Sequence, residues 1–277
     1  MTGTSSSGRV PVMLTIAGSD SCGGAGIQAD LKTAAAFGVY GASVITALTA
    51  QNTLGVHGIL PVPPAFVVAQ YDAVLSDLNV RAVKIGMLGD AALVEAVAAM
   101  LERRPVPHVV LDPVMVATSG DRLVPDEAVE AIRGRLMPLA TVVTPNLLEA
   151  QTLTGEAVTD ADGMARAART LLHLGAGAAL VKGGHLGGDH ADDLLLTREA
   201  THWLRARRVI TENTHGTGCT LSSAIAAGLA NGQTLADSAA AAKAFLTRAL
   251  ESGAHRSVGG GHGPIDHLVD HHVNHRT

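Results

Sequence analysis

Val12-Met13-Leu14-Thr15-Ile16-Ala17, then the loop Gly18-Ser19-Asp20-Ser21-Cys22-Gly23-Gly24-Ala25-Gly26, then a run with Ile27, Leu31, Ala34 and Ala35 at helical spacing up to Gly38, is the stretch that sets the fold. A short β-branched apolar run bounded by glycine reads as a buried strand, and the periodic run after the loop reads as a helix. Asp30 falls in the first turns of that helix. The loop lacks the G-x-G-x-x-G spacing of a dinucleotide fingerprint. The second strand, which ends Thr46-Ala47-Leu48-Thr49-Ala50-Gln51-Asn52, has no acidic residue at the usual distance.

Working outward, the same unit recurs. Residues 66–78 read as a helix, and Ala82-Val83-Lys84-Ile85 as a strand ending in Gly86-Met87-Leu88-Gly89. Asp90 caps a helix to Leu101, and His108–Leu111 is a strand ending at Asp112-Pro113-Val114-Met115. Asp126 caps a helix to Arg135, and Thr141–Val143 runs into Thr144-Pro145-Asn146, with Glu149 one turn into the next helix. A helix over 160–174 and a strand at Ala178–Val181 lead to Lys182-Gly183-Gly184-His185. Strands alternating with helices predict an α/β protein with a mostly parallel sheet covered on both faces. With no internal repeat and no linker, one domain is expected.

Composition agrees. The 277 residues are 47% hydrophobic and 16% charged, enough for one large core. No apolar run reaches membrane-spanning length. Met1–Arg9 lacks a signal core and reads as a disordered lead-in, so a cytoplasmic location is expected. Cys22 and Cys219, both in glycine-rich loops, read as free thiols of a reducing compartment. A net charge of −5 and 2% aromatic residues argue against a nucleic-acid partner.

A second glycine-rich stretch, Asn213-Thr214-His215-Gly216-Thr217-Gly218-Cys219-Thr220, joins a strand-like run over 203–210 to a small-residue helix through Leu229. Amides on such a first turn converge on one point and, with the helix dipole, form an anion site. A thiol there is expected to have a lowered pKa. Taken alone, the octapeptide is equally a plain turn with a core cysteine. The other polar residues bear on the choice: Asp20, Gln51, Asp112, Asn146 with Glu149, and Lys182 all follow strands. Ligands of such sheets bind beyond the strands' carboxyl ends. That favours one composite site, and a phosphate cradle beside a polarised side chain suggests phosphoryl transfer.

The segment Ala17–Lys32 together with Asn213–Thr220 resembles the hydroxymethylpyrimidine/phosphomethylpyrimidine kinases of the ribokinase-like superfamily. Segments 48–53, 84–88, 111–115, 144–149 and 181–185 are similar to that family's in the same order, over about 12–267. The resemblance implies a three-layer α/β/α sandwich, with a kinase domain over 10–268, a lead-in over 1–9 and a His-rich tail over 269–277. It implies transfer of the ATP γ-phosphoryl group to 4-amino-5-hydroxymethyl-2-methylpyrimidine and then to its monophosphate, with Mg2+, in a homodimer. It further implies Cys219 as general base, or as a group that positions the hydroxyl, with the amides of Gly216, Thr217, Gly218 and Cys219 on the transferring group. Asp112 and Glu149 would serve the Mg2+-nucleotide, partly through water, joined by Asn146. Lys182, Thr214 and Lys243 would lie on the nucleotide side, although Lys243 reads equally as a snorkelling lysine. Gln51, Asp30, Gly18 and Met87 would face the pyrimidine.

Competing readings are a pyridoxal kinase of the same superfamily and a non-catalytic pyrimidine binder. The Gln51 amide favours the pyrimidine, and retention of both halves of a transfer site disfavours a mere binder. Six of the thirteen histidines lie between His255 and His275, without a structural-zinc spacing. His185 and His215 are assigned no chemistry.

Overall fold

The structure, a computed structural model, describes residues 9–115, 124–184 and 186–270. Outside them lie the expected lead-in over 1–8, His185 and the tail from 271. The chain runs β1 (Val12–Ser19), α1 (Gly26–Ala36), β2 (Tyr40–Asn52), β3 (Gly55–Pro61), α2 (Pro64–Asp77), β4 (Val80–Ile85), α3 (Ala91–Arg103) and β5 (His108–Leu111). It continues α4 (Asp126–Ala131), β6 (Val142–Val143), α5 (Leu147–Thr154), α6 (Ala161–His173), β7 (Ala179–Val181), β8 (Asp193–Leu196), β9 (Thr201–Leu204), α7 (Thr217–Ala230) and α8 (Leu235–Gly253). One nine-stranded sheet has the order β3-β2-β1-β4-β5-β6-β7-β8-β9. From β2 to β7 neighbouring strands are parallel, while β3, β8 and β9 are antiparallel edges.

Helix α4 differs in detail from the expectation. Pro125 rather than Asp126 is its N-cap, and the helix widens into a π turn over Ile132–Leu136. The strand-like run at 203–210 is a larger correction. The regular ladder with β8 ends at Leu204, while irregular backbone pairing runs on through the Ala206–Ala191 and Arg208–Asp189 bonds and the bridge of Arg207 with His190; Ile210 is 94% exposed. Over the same stretch the Arg208 guanidinium donates to the carbonyls of Gly184, Leu186, Gly188 and His190, adding side chain-to-backbone bonds to the irregular pairing. The octapeptide is therefore entered from a loop.

Two apolar layers flank the sheet, and strand periodicity sorts residues between them. Leu14, Ile16, Val83, Ile85, Val109, Leu111, Val143 and Val181 pack with α2–α6. Met13, Ala82, Val110, Val142 and Leu180 pack with α1, α7 and α8. Continuing the second row by two residues reaches Thr15, Lys84, Asp112, Thr144 and Lys182. The strand ends thus present their polar side chains on the face that α7 covers. β1 lies between β2 and β4, so the chain leaves it first to one side and then to the other, and the crevice at this switch opens beside those residues.

Helix α7 is buried from Thr220 to Ala230, which restricts it to small and apolar residues. At Gly228 a Cβ would come within 2.6 Å of Ser238 Oγ and 2.8 Å of Ser238 Cβ on α8. Gly228→Ala gains about 1 kcal/mol of helix propensity but forces the two helices apart. Overpacking costs about 1–3 kcal/mol, so the urea midpoint should fall. Adding Ser238→Gly should recover most of the loss.

Candidate active site

Gly216 sets the start of α7. Its φ of +86° is open to glycine at little cost, and a Cβ there would be driven into the Gly24 carbonyl. The Thr217 amide bonds the Thr214 carbonyl, and the Thr220 amide bonds that of Gly216. Between them, the Gly218 and Cys219 amides have no acceptor among the described residues. Two open donors at the positive end of a 14-residue helix make an oxyanion cradle.

The cradle forms one wall of a cleft of about 180 Å3. The β1–α1 loop contributes Gly18, Ser19, Asp20 and Gly26 to it, and the β2–β3 hairpin Thr49, Gln51, Val56 and Ile59. Lys84, Met87, Asp112, Glu149 and Lys182 come from the ends of β4 to β7, and His215 to Cys219 close the ring.

The charges along the floor are paired. Lys182 Nζ lies 3.0 Å from Asp112 Oδ1 and 3.7 Å from Glu149 Oε2. Asp112 also accepts from Thr144 Oγ1 and Ser222 Oγ, each at 3.2 Å. Burial pushes the Asp112 carboxyl up, but Lys182 and Lys84 outweigh it and hold it below the usual range. Glu149 goes the other way: burial raises it, Lys182 opposes, and the Asp112 charge adds to the rise. Glu149 is half of a capping box, in which its Oε2 accepts the Asn146 amide at 2.7 Å and Asn146 Oδ1 accepts the Glu149 amide. Burial would lower Lys182, yet the two carboxylates raise it, so it stays charged.

Lys84 is fully buried and bonds both Asp30 oxygens, at 2.9 and 3.0 Å. Asp30 also accepts from Thr15 Oγ1 at 2.6 Å and Ser223 Oγ at 2.7 Å. This corrects the expectation that Asp30 faces the pyrimidine. It is fully buried and stands off the cleft wall. Cys219 is corrected as well. Burial pushes its thiol up to about 11, and neither nearby Lys84 nor a Gly26 amide bond reverses that. The helix end alone does not make it a thiolate at neutral pH.

The cleft brings together Gly18, Gln51, Met87, Asp112, Glu149, Lys182 and Gly216 to Cys219. It does not include Asn146, whose side chain caps α5, or Thr214, which offers its carbonyl to Thr217. Lys243 is also outside, 2.7 Å from Asp193 and bonded to the Ala191 carbonyl. Asp193 in turn accepts the Gly183 amide at 2.9 Å, so this pair braces the loop after Lys182. Lys84 and His215 also line the cleft, although neither is assigned chemistry from sequence, and Asp20 joins them as expected of a strand-end residue of the composite site. A lysine inside an apolar strand was the available signal, since unpaired lysine is almost never buried.

Among the described residues no cluster of three or more His, Cys, Asp or Glu could hold a metal ion. Two carboxylates beside a phosphate cradle fit Mg2+ in its usual form, bound mostly by substrate phosphates and water.

The chain matches the phosphomethylpyrimidine kinase family model over residues 20–266. A hydroxymethylpyrimidine/phosphomethylpyrimidine kinase of Rhizobium meliloti (strain 1021) is 54% identical over 258 residues, covering 93% of this chain and 97% of the relative. The structure of Bacillus subtilis pyridoxal kinase in an ADP complex matches with a TM-score of 0.88 at 36% identity, covering 95% of this chain and 99% of that one. Phosphomethylpyrimidine kinase from Clostridium difficile 630 matches with a TM-score of 0.78 at 41% identity, covering 87% and 100%. The architecture is thus that of an α/β small-molecule kinase. The chain belongs to the phosphomethylpyrimidine kinase family.

Two outcomes follow from the site. Lys84→Met leaves Asp30 buried without its cation and should cost about 3–5 kcal/mol by urea denaturation, part of it regained in Asp30→Leu/Lys84→Met. Because the thiolate is the reactive form, alkylation of Cys219 by iodoacetamide, followed by peptide mass spectrometry, should still accelerate above pH 9 and reach half-maximum near 11. A plateau below pH 8 would contradict that.

Proposed function

We propose that the cleft transfers the γ-phosphoryl group of ATP to the hydroxymethyl oxygen of 4-amino-5-hydroxymethyl-2-methylpyrimidine, and then a second phosphoryl group to the monophosphate, in thiamine biosynthesis. The observation that carries this reading is the pair of open Gly218 and Cys219 amides, standing beside Lys182 and opposite a wall of Gln51, Met87 and Gly18. The names of relatives agree, including a bifunctional thiamine biosynthesis protein 51% identical over 93% of this chain.

The substrate oxygen bonds to Pγ while the bridging Pγ–O bond breaks, its electrons leaving with ADP. Such a transition state is loose and needs charge neutralisation and alignment more than a strong base. The Gly218 and Cys219 amides receive the equatorial oxygens, and Lys182 adds a point charge. Lys84 and Lys182 are both held above the ordinary lysine range despite burial, so they remain charged throughout the working pH range. Mg2+ carried by the nucleotide would neutralise phosphate charge, with Asp112 and Glu149 as the residues that hold it through water. Since burial keeps Cys219 protonated, it orients the hydroxyl rather than deprotonating it beforehand. The proton then passes to the transferred group, whose phosphoryl oxygens are more basic than the bridging oxygen of the ester just formed.

Thr49 Oγ1 donates to the Ser19 carbonyl at 2.9 Å and lies 3.2 Å from Gln51 Oε1, and the Gln51 amide offers both a donor and an acceptor to the aminopyrimidine edge. Leu48 and Leu60, exposed and directly paired across β2 and β3, support the homodimer as part of the same proposal.

Purified protein with Mg-ATP and the pyrimidine should release ADP and form the pyrophosphorylated product. Efficient turnover of pyridoxal without the pyrimidine would overturn the substrate assignment. Gln51→Leu should lower kcat/KM for the pyrimidine by about 10- to 100-fold, the cost of one to two unmade hydrogen bonds. For Cys219, the orienting role predicts a kcat that is flat from pH 7 to 10, whereas a base of pKa about 11 would make it climb. Cys219→Ala should cost about 100-fold in kcat, with Cys219→Ser recovering part of it.

A further inference from the structure

The β1–α1 loop and the cradle come from opposite ends of the chain, yet they interlock. A Cβ on Gly24 would be driven into the His215 ring, and one on Gly216 into the Gly24 carbonyl. Beside the Gly26 amide bond to Cys219, a side chain-to-side chain hydrogen bond ties the two: His215 Nε2 lies 2.8 Å from Asp20 Oδ2, across 195 positions of sequence. Both side chains are nearly buried, at 4% and 6% exposure. Asp20 is fixed in its own loop by the amides of Cys22 at 2.8 Å, Gly24 at 3.0 Å and Ala25 at 2.8 Å. Burial would push its carboxyl up, but the His215 bond and the Ala25 and Cys22 amides outweigh this and keep it ionised. An ionised carboxylate only accepts, so His215 Nε2 carries the proton. On the far side of the cradle, the His215 amide bonds the Gly263 carbonyl at 3.1 Å, and the residue pairs with Pro264. His215 is therefore held from two sides immediately before Gly216.

We propose that Asp20 and His215 are positioning residues for phosphoryl transfer, their hydrogen bond setting the spacing between the loop that receives the pyrimidine and the amides that receive the phosphoryl group. The inference rests on the transfer reading above. Gly18 and Gly26 lie on one side of this bond and Gly218 and Cys219 on the other, all lining the same cleft. Releasing the bond lets the two reactants drift apart while each keeps its own binding contacts. The effect belongs in kcat and not in KM.

The test compares His215→Leu, which cannot donate, with His215→Gln, which can, and with Asp20→Asn, which loses the charge. His215→Leu should lose about 100-fold in kcat, the cost expected of a misplacement near 1 Å, with KM for both substrates nearly unchanged. His215→Gln should recover a large part of it, and Asp20→Asn should fall between. Cys219 alkylation at fixed pH should become several-fold faster in His215→Leu, a readout that does not need turnover. Should His215→Leu fail to fold, Gln and Asn carry the comparison. Equal losses in His215→Leu and His215→Gln, a loss confined to KM, or unchanged alkylation would overturn the inference. Absence of turnover in the unsubstituted protein would instead overturn the transfer reading and leave the alkylation result to judge the contact.

Discussion

The structure depends on burying the N-terminal half of α7 over a row of charged strand ends. Taking Lys84, Asp30 and Asp112 out of water costs several kcal/mol per ion unless each is paired and hydrogen-bonded. Helix α7 meets that demand with two hydroxyls in succession, Ser222 toward Asp112 and Ser223 toward Asp30. Among the described residues, no buried side-chain nitrogen or oxygen is left without a partner. Once the row is satisfied, the open amides of α7 are fixed above it, and the cleft follows.

Order around the loop after Lys182 comes from a second chain of contacts. Lys243 on α8 holds Asp193 on β8, Asp193 holds the Gly183 amide, and Gly183 follows Lys182. Arg208 gathers four carbonyls of the adjoining loop. A lysine and an arginine that do not line the cleft thus brace the loop that follows its lysine. Fold alone does not choose the substrate. The pyridoxal kinase neighbour has the same architecture, so discrimination has to come from cleft residues such as Gln51 on the β2–β3 hairpin.

Much of this was legible in sequence because strand and helix periodicities are local. The parallel strands stood out as apolar runs closed by glycine, proline or a polar residue, and Asp90 caps α3 as its side chain dictates. Lys182, Asp112 and Glu149 could be expected in one cleft because strand ends mark a site in such sheets, and they line the same one. What stayed hidden depends on partners distant in sequence. An aspartate in the first turns of α1 looks like a ligand until Thr15, Lys84 and Ser223 are seen around it. The Cys219 position carries a favourable dipole, but its desolvation is a property of the assembled cleft. The run at 203–210 reads as one extended segment, whereas the regular ladder ends at Leu204 and gives way to irregular pairing joined by the Arg208 bonds to four carbonyls.

The contact between residues 20 and 215 also has a meaning for the growing chain. Closing so long a loop carries an entropy cost that local elements must first offset. Strands β1 to β7 can assemble during synthesis, since each pairs with a strand already made or made soon after. The phosphate cradle cannot. It exists only after α7 has emerged and inserted between α1 and the strand ends, so a chain stopped short of residue 215 has most of its sheet and no catalytic capacity. Competence therefore arrives in one late step, when the last quarter of the protein closes over the first twenty residues.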